Sequence, residues 1–390
     1  MKSIRVIFVA GLLVVAAAAP GIGETPTVTV RGDRFVKNGE AKYLLFVSYF
    51  DAMRRAGSSV DGSGNPTGDL DTDFAYLQTH GIDGIRIFPN WWHWCPEPKR
   101  PAADDALFTI SGGLRAETDP IWKRFVYVLN KAAEHRLLVD VSFTAETLTG
   151  NHLGDSGGLT LASYQGQIAG VASRLRGGFP HVFFDLHNEY TNNGVERQTE
   201  LIPIALDIAN DNDGDGDPGR LITASATDPG EAGEAARVAQ LDFAAAHGNR
   251  LPTWYTGSVI SDLITATRNA SHPEIKPVYL QEPHPFAAGC HAGDDSAPEP
   301  FHYRQAASNA KVHGAAAFTF HSRTTFDLAT GTYYAKMHPL VNGVPAKTDE
   351  AKELEALRDA VNAVAWGNDG SAGGFIDTQP SAARSAPMGR

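Results

Sequence analysis

Eight short apolar runs set the limits on what this chain can become. They fall near residues 44–49, 82–88, 137–143, 181–186, 220–226, 241–247, 277–282 and 314–320, and stretches with helical spacing stand between them. Strand alternating with helix along one chain implies a parallel sheet covered by helices. Eight strands are the number at which such a sheet closes on itself with its interior filled by side chains. An open doubly wound sheet would want a glycine-rich phosphate loop after its first strand, and FVSYFDAMRRAG (residues 46–57) provides none. The expected fold class is therefore α/β, a single (β/α)8 TIM barrel.

Ahead of the first run, Val28 and Val30 alternate with polar residues and Asn38-Gly39 is a tight-turn signal, so an N-terminal β-hairpin should feed the barrel. Helices are expected over Asp73–His80, Tyr164–Arg176, Thr199–Ala209, Gly233–Ala239, Ser258–Asn269, Tyr303–His313 and Asp349–Trp366. One more starts at Asp119-Pro120, where a capping carboxylate precedes a first-turn proline. Lys2 and Arg5 form a basic head before the apolar run from Val6 to Ala19, and small residues follow. That is the layout of a secretory signal peptide. Residues 1–23 are thus expected to be removed, with a secreted or periplasmic destination and no membrane attachment once they are gone. The barrel should occupy 24–366. The Gly-, Ser-, Ala- and Pro-rich stretch 367–390 reads as a disordered tail. With 45 acidic and 33 basic residues the net charge is −12, which repels phosphate backbones and speaks against nucleic acid as a partner. An acidic surface of this kind suits a monomer acting on a neutral substrate.

In a (β/α)8 barrel the chemistry sits at the C-terminal ends of the strands. The second run delivers Arg86 and then Trp91, Trp92 and Trp94; the fourth Asn188 and Glu189; the sixth His247; the seventh Glu282; the eighth His321. Glu189 and Glu282 each end an apolar run, and closure brings the fourth and seventh strands across one mouth. Two carboxyl groups in unlike surroundings can split a glycosidic bond, one protonated to release the leaving oxygen and one ionised to attack carbon or activate water. Arg86 can hold Glu282 ionised. Asn188 can donate to a sugar hydroxyl, and three indoles offer flat faces to pyranose rings. His247 and His321 suit neutral hydrogen-bonding roles. Read singly, each acid is an ordinary strand-end carboxylate, Arg86 a structural ion-pair partner and the tryptophans a hydrophobic plug. The combination is what points to a carbohydrate site.

These residues resemble the retaining glycoside hydrolases of clan A, most closely the cellulase-like family 5 barrels. YLQTHGIDGIRIFPNWW and VFFDLHNEY carry the likeness, which runs from Tyr43 to Phe320. It implies Glu189 as acid/base and Glu282 as nucleophile in a double displacement on β-linked sugars, supported by Arg86, Asn188 and His247, with no cofactor for catalysis. Phe320-His321 stands where that family usually has tryptophan, Tyr190 where it often has proline, and no tyrosine follows His247. A barrel remodelled to bind carbohydrate without cleaving it is the alternative.

Two features lie outside this scheme. Asp211, Asp213, Asp215 and Asp217 alternate through ANDNDGDGDPGR, a spacing that can wrap a structural Ca2+, although Ile222 stands where the full calcium loop has glutamate. A solvated acidic turn is the other reading. Cys95 and Cys290 follow the second and seventh runs, on the same face, where a disulfide is geometrically open to them.

Overall fold

The computed structural model describes residues 24–89, 106–109, 113–144, 160–189, 220–248, 253–283, 300–322, 326–333 and 347–366. It opens with a three-stranded antiparallel sheet, β1 (Val28–Arg31), β2 (Arg34–Lys37) and β3 (Glu40–Lys42). Asn38 and Gly39 turn β2 into β3 with φ of 53° and 82°, the pair of positive angles that a two-residue hairpin needs.

Eight parallel strands follow: β4 (Leu44–Ser48), β5 (Gly84–Ile87), β6 (Leu138–Ser142), β7 (Val182–Asp185), β8 (Ile222–Thr223), β9 (Ala244–His247), β10 (Val278–Glu282) and β11 (Ala317–Phe320). Their order is β8-β7-β6-β5-β4-β11-β10-β9. The seam between β8 and β9 is bridged at Ala226 and Ala246, where the Ala226 N–H reaches the Ala245 carbonyl at 3.2 Å and the His247 N–H reaches that of Ala226 at 3.0 Å. The barrel forms as expected. The fifth run, however, supplies only a two-residue strand and then this bridge. Among the described residues α1 (Ala52–Ala56) and α2 (Asp71–Thr79) follow β4, α3 (Pro120–Glu134) follows β5 and α4 (Leu161–Arg174) follows β6. Then α5 (Pro229–Ala236), α6 (Gly257–Ser271), α7 (Pro300–Val312) and α8 (Lys347–Trp366) follow β8, β9, β10 and β11, with the short hairpin β12 (Phe326–Asp327) and β13 (Thr332–Tyr333) before α8. Asp119 caps α3 by accepting from the Ile121 N–H, and Pro120 opens it, as its sequence foretells. The short α1 was not expected. The expected helix 199–209 lies outside the described residues, as do the leader, the tail and both cysteines.

Alternate residues of each strand face the barrel axis, and their chemistry changes along it. At the lower end Leu44, Phe46, Leu138, Phe183, Phe243, Ala245, Tyr279 and Ala317 form one apolar cluster. Phe35 of β2 enters it from below, its ring centroid 5.1 Å from that of Phe243 and 6.3 Å from that of Phe183, so the N-terminal sheet stoppers the barrel. Gly84 makes this fit possible, since a Cβ there would stand 2.4 Å from a Phe46 ring carbon. One step up each strand the axis-facing residues turn polar: Ser48, Arg86, Asp140, Ser142, Asp185, Ser225, His247, Gln281 and His321, all buried. The outward phase packs against the helices in the larger apolar core. No helix among the described residues is long and apolar enough to cross a membrane.

Candidate active site

Glu282 owes its direction to an irregularity. Leu280 pairs with Ala246 and Glu282 with His247, so Gln281 is an extra residue against β9. In a regular strand Gln281 and Glu282 would point to opposite faces. A bulge re-aims the second of the two, and both side chains reach the barrel interior. There the Arg86 guanidinium meets Glu282, Nη1 donating to Oε1 at 2.5 Å.

Arg86 is fully buried, which is tolerable only because every side of it is answered. Its Nε donates to Ser142 Oγ at 2.7 Å, and its Nη2 to Asn188 Oδ1 at 2.5 Å and Asp185 Oδ2 at 3.4 Å. Asp140 Oδ2 lies 3.6 Å from Nε, and the Phe88 ring lies under the guanidinium carbon at 4.5 Å. Three carboxylates thus surround one cation. Burial pushes the Asp140 carboxyl up to about 6, with Arg86 opposing the rise and Asp185 adding to it. The Arg86 value is also raised: burial works against its charge, and Glu282, Asp140 and Asp185 outweigh burial.

Glu189 stands one residue past Asn188 with φ of 50°, a left-handed conformation that costs a residue with a Cβ about 1–2 kcal/mol. Hydrogen bonds on both sides hold it there. The Asn188 N–H donates to the Phe143 carbonyl at 2.7 Å, and the Glu189 N–H to Ser225 Oγ at 3.1 Å. Ser225 in turn is fixed by Asp185, its hydroxyl donating to Oδ2 at 2.7 Å and its N–H to Oδ1 at 3.0 Å. The side chain of Glu189 meets His247, Nδ1 to Oε1 at 3.1 Å.

His247 joins the two acids. Its Nδ1 is also 3.6 Å from Glu282 Oε2, while its Nε2 faces Gln281 Oε1 at 3.1 Å. One donor atom from each of Glu189, His247 and Glu282 lies within 4.8 Å of the others. Burial disfavours the imidazolium, but the Glu282 and Glu189 carboxylates more than compensate and raise its value above that of an ordinary histidine. These three groups are near enough to hold a cation. The 3.1 Å contact is nevertheless a hydrogen-bond distance, and Arg86 already supplies positive charge to Glu282. His321 completes the ring, with Nε2 3.6 Å from Glu282 Oε2 and Nδ1 2.8 Å from Ser48 Oγ. Beside it Phe50 stacks on Phe88 at 4.2 Å and meets the His321 ring at 5.7 Å.

Arg86, Asn188, Glu189, His247, Glu282 and His321, all expected at the strand ends, come together at one mouth. Asn188 directs its amide oxygen at Arg86. Trp91, Trp92 and Trp94, and Asp211, Asp213, Asp215 and Asp217, lie outside the described residues. Asp140, Asp185, Ser225 and Gln281 are additions, with the aromatic pair Phe50 and Phe88. Their signal was available for the two aspartates: each interrupts an apolar run, at the phase shared with Ser142 or Phe183.

No protein-family model matches this chain, and no curated protein matches it in sequence. Solved structures do share its fold. A glycoside hydrolase superposes with a TM-score of 0.56 at 12% identity, over 88% of this chain and 73% of that one. A glycoside hydrolase family 5 enzyme from Prevotella bryantii does so with a TM-score of 0.51 at 12% identity, over 82% and 96%. A family 5 mannosidase from Rhizomucor miehei gives 0.52 at 14%, over 88% and 98%. At such identities the likeness is one of fold: this chain has the barrel of the glycoside hydrolase family 5 enzymes.

Proposed function

We propose that the protein is a retaining glycoside hydrolase of the clan A, family 5 type, cleaving β-linked bonds of a polysaccharide or oligosaccharide. The observation that carries this reading is a pair of acids at the mouth with unlike partners: Glu282 on Arg86 at 2.5 Å and Glu189 on His247 at 3.1 Å, with donor atoms inside one 4.8 Å circle. Carboxyls about 5–5.5 Å apart suit direct attack, whereas inversion needs roughly 6.5–9.5 Å to admit a water between acid and sugar. In the first step Glu282 attacks the anomeric carbon, the glycosidic C–O bond breaks, and Glu189 gives its proton to the leaving oxygen. In the second, water attacks the same carbon, its proton passes to Glu189, and the ester to Glu282 opens. Arg86 stabilises Glu282 as a carboxylate before attack and as a leaving group after it. Asn188 serves a sugar hydroxyl, and Phe50 offers an apolar face beside His321.

The same reading assigns Trp91, Trp92 and Trp94 to gripping the rest of the saccharide, and residues 1–23 to export. No cofactor enters the chemistry; a structural Ca2+ at Asp211–Asp217 is an addition to the fold, checked by a Ca2+-dependent rise in melting temperature. The test is kinetic. Glu189→Gln should lower turnover of unactivated β-glycosides by about 10²–10⁴-fold. A Glu282→Gly variant should regain activity on an aryl β-glycoside when azide is added, giving the glycosyl azide of inverted configuration. Full turnover in either variant without azide would sink the reading and favour a barrel that binds sugar without cleaving it. A screen over glucan, mannan, xylan and galactan then names the sugar, with mannans prominent because one structural neighbour is a mannosidase.

A further inference from the structure

We infer that Gln281, held in place by Asp140, is a positioning residue that fixes which nitrogen of His247 carries its permanent proton, and so keeps a removable proton in the contact with Glu189. The inference rests on the acid/base reading of Glu189. It begins at Asp140, whose Oδ2 accepts from Gln281 Nε2 at 2.8 Å. An amide has one donor end and one acceptor end, so this bond sets the orientation of the whole group. Gln281 Oε1 is thereby the atom turned to His247 Nε2 at 3.1 Å. A carbonyl oxygen has no hydrogen to give, so His247 must donate there. Its Nε2 carries the permanent proton, and Nδ1 is left to face Glu189 Oε1.

That contact then holds one proton or none. With the proton on Glu189, the acid donates to a neutral imidazole. With it on Nδ1, an imidazolium donates to a carboxylate. The two arrangements interconvert by a shift along one hydrogen bond, and both keep the proton beside the leaving oxygen. When Glu189 gives its proton to that oxygen, the Nδ1 lone pair faces a carboxylate with nothing between them, which favours recapture from the attacking water. Were the amide reversed, Gln281 would donate to Nε2 and His247 would carry its permanent proton on Nδ1. Glu189 would be hydrogen-bonded and content as an ion, which is the wrong state for an acid.

The groups facing this chain from each neighbouring element are consistent with that. Arg86 on β5 and Asp185 on β7 flank Asp140 from either side, and Tyr279 on β10 lies below it. Around His247 stand Glu189, Glu282 on β10 and, further off, Arg86. The two glutamates lie on the Nδ1 side, and Gln281 Oε1 is the acceptor within hydrogen-bond distance of Nε2. The bulge that re-aims Glu282 is what allows Gln281 to reach inward from the position before it.

Two measurements test this. In the unmodified protein, long-range 15N NMR of the imidazole should show His247 with Nε2 protonated above the alkaline limb of the kcat/KM profile; a protonated Nδ1 with a bare Nε2 would overturn the inference. In variants, Gln281→Met removes the acceptor and frees the other tautomer, so the alkaline limb should move down by about one pH unit. Gln281→Glu keeps an acceptor and adds charge, so the limb should move up. A residue that merely fills space would leave the limb in place in Gln281→Met, the substitution that adds no charge. Glu189→Gln separates this from the parent reading. If that variant loses the limb while Gln281→Met leaves it in place, the positioning role is wrong and the acid/base role stands. If turnover and limb survive in Glu189→Gln, both fall together.

Discussion

The lower end of the barrel and its mouth both bury charged side chains, and they do so differently. Below, Lys37 and Lys42 close on Asp83 at 3.1 and 2.7 Å, and Asp83 also receives the Leu45 N–H. Arg220 ends on the carbonyls of Leu175, Gly178 and Phe179, the turn that leaves α4. Arg220 thereby finishes carbonyls that the end of α4 leaves unanswered, and the aromatic stopper around Phe35 fills the rest. At the mouth, Glu282, Asp140 and Asp185 share Arg86, and Glu189 is answered by a histidine. Acid exceeds base there, in a place where burial makes the excess felt. The lower end is arranged for stability, and the mouth keeps ionisable groups in tension.

The largest expected effect is a crossed pair of substitutions. Glu282→Gln should reduce turnover by more than about 10³-fold, while its melting temperature stays within a few degrees of the parent. Phe35→Ala should do the opposite. Emptying a ring from the lower cluster costs about 3–5 kcal/mol, but kcat measured well below the new melting point should hold. Urea unfolding and initial rates on the same preparations check both. If Phe35→Ala lowers kcat as strongly as Glu282→Gln, the two ends are not separable in the way their contacts suggest.

Part of this division was legible in the sequence. Eight runs gave the barrel because strands buried on both faces have no choice but to be apolar, and Asp119-Pro120 marked a helix start because both residues act within one turn. The strand-end residues followed once the strand count placed them on one face. What stayed hidden depends on pairing between distant strands. Nothing local in VYLQEP reveals the bulge that turns Glu282 inward, and the left-handed backbone of Glu189 is held in part by Ser225, which sits 36 positions away. Asp140 and Asp185 lie between these cases. A charge inside an apolar strand is readable as an axis-facing polar residue, but its partner Arg86 is known only when strands two, three and four are side by side.

A smaller effect separates the ends by pH. His181 precedes β7, donates from Nε2 to the Leu129 carbonyl at 3.0 Å, and has a buried Nδ1 with no hydrogen-bond partner among the described residues. Burial lowers its value from 6.5 to about 4, with the Leu129 carbonyl opposing. Because the folded value lies below the unfolded one, its contribution to stability is complete above pH 6.5 and is lost as pH falls through about 4. Asp51, Asp140 and Asp242 behave in the opposite sense: burial raises each to about 6, so their contribution is complete below 3.8 and is lost as pH rises through about 6. These opposing slopes overlap in the wild type, so the difference between wild type and His181→Gln is the quantity to measure. It should change by about 3 kcal/mol between pH 7 and pH 4 in favour of the variant at low pH, with no change in the pH profile of kcat/KM. A shifted kinetic profile would show that the lower end reaches the mouth electrostatically.

The smallest effect is at one of the bonds that hold Glu189, the proposed acid. Ser225→Ala removes the acceptor for the Glu189 N–H and one donor to Asp185 Oδ2. Asp185 keeps the Ser225 N–H and the more distant Arg86 Nη2, so the buried carboxylate is not abandoned and the stability loss should be about 1–2 kcal/mol. Glu189 loses more in proportion, since its φ of 50° relaxes toward the ordinary region once the N–H is released. Displacement by even a fraction of an ångström takes the proposed acid away from the leaving oxygen, so kcat should fall about tenfold, which corresponds to about 1.4 kcal/mol in the barrier. KM should be unchanged, because Ser225 acts on the acid through the backbone and the proposed saccharide contacts are made by other side chains. An unaltered kcat would mean that Ser225 contributes to stability alone, and the strained backbone would then have to be held by the barrel wall itself, through the Asn188 N–H and the Phe143 carbonyl.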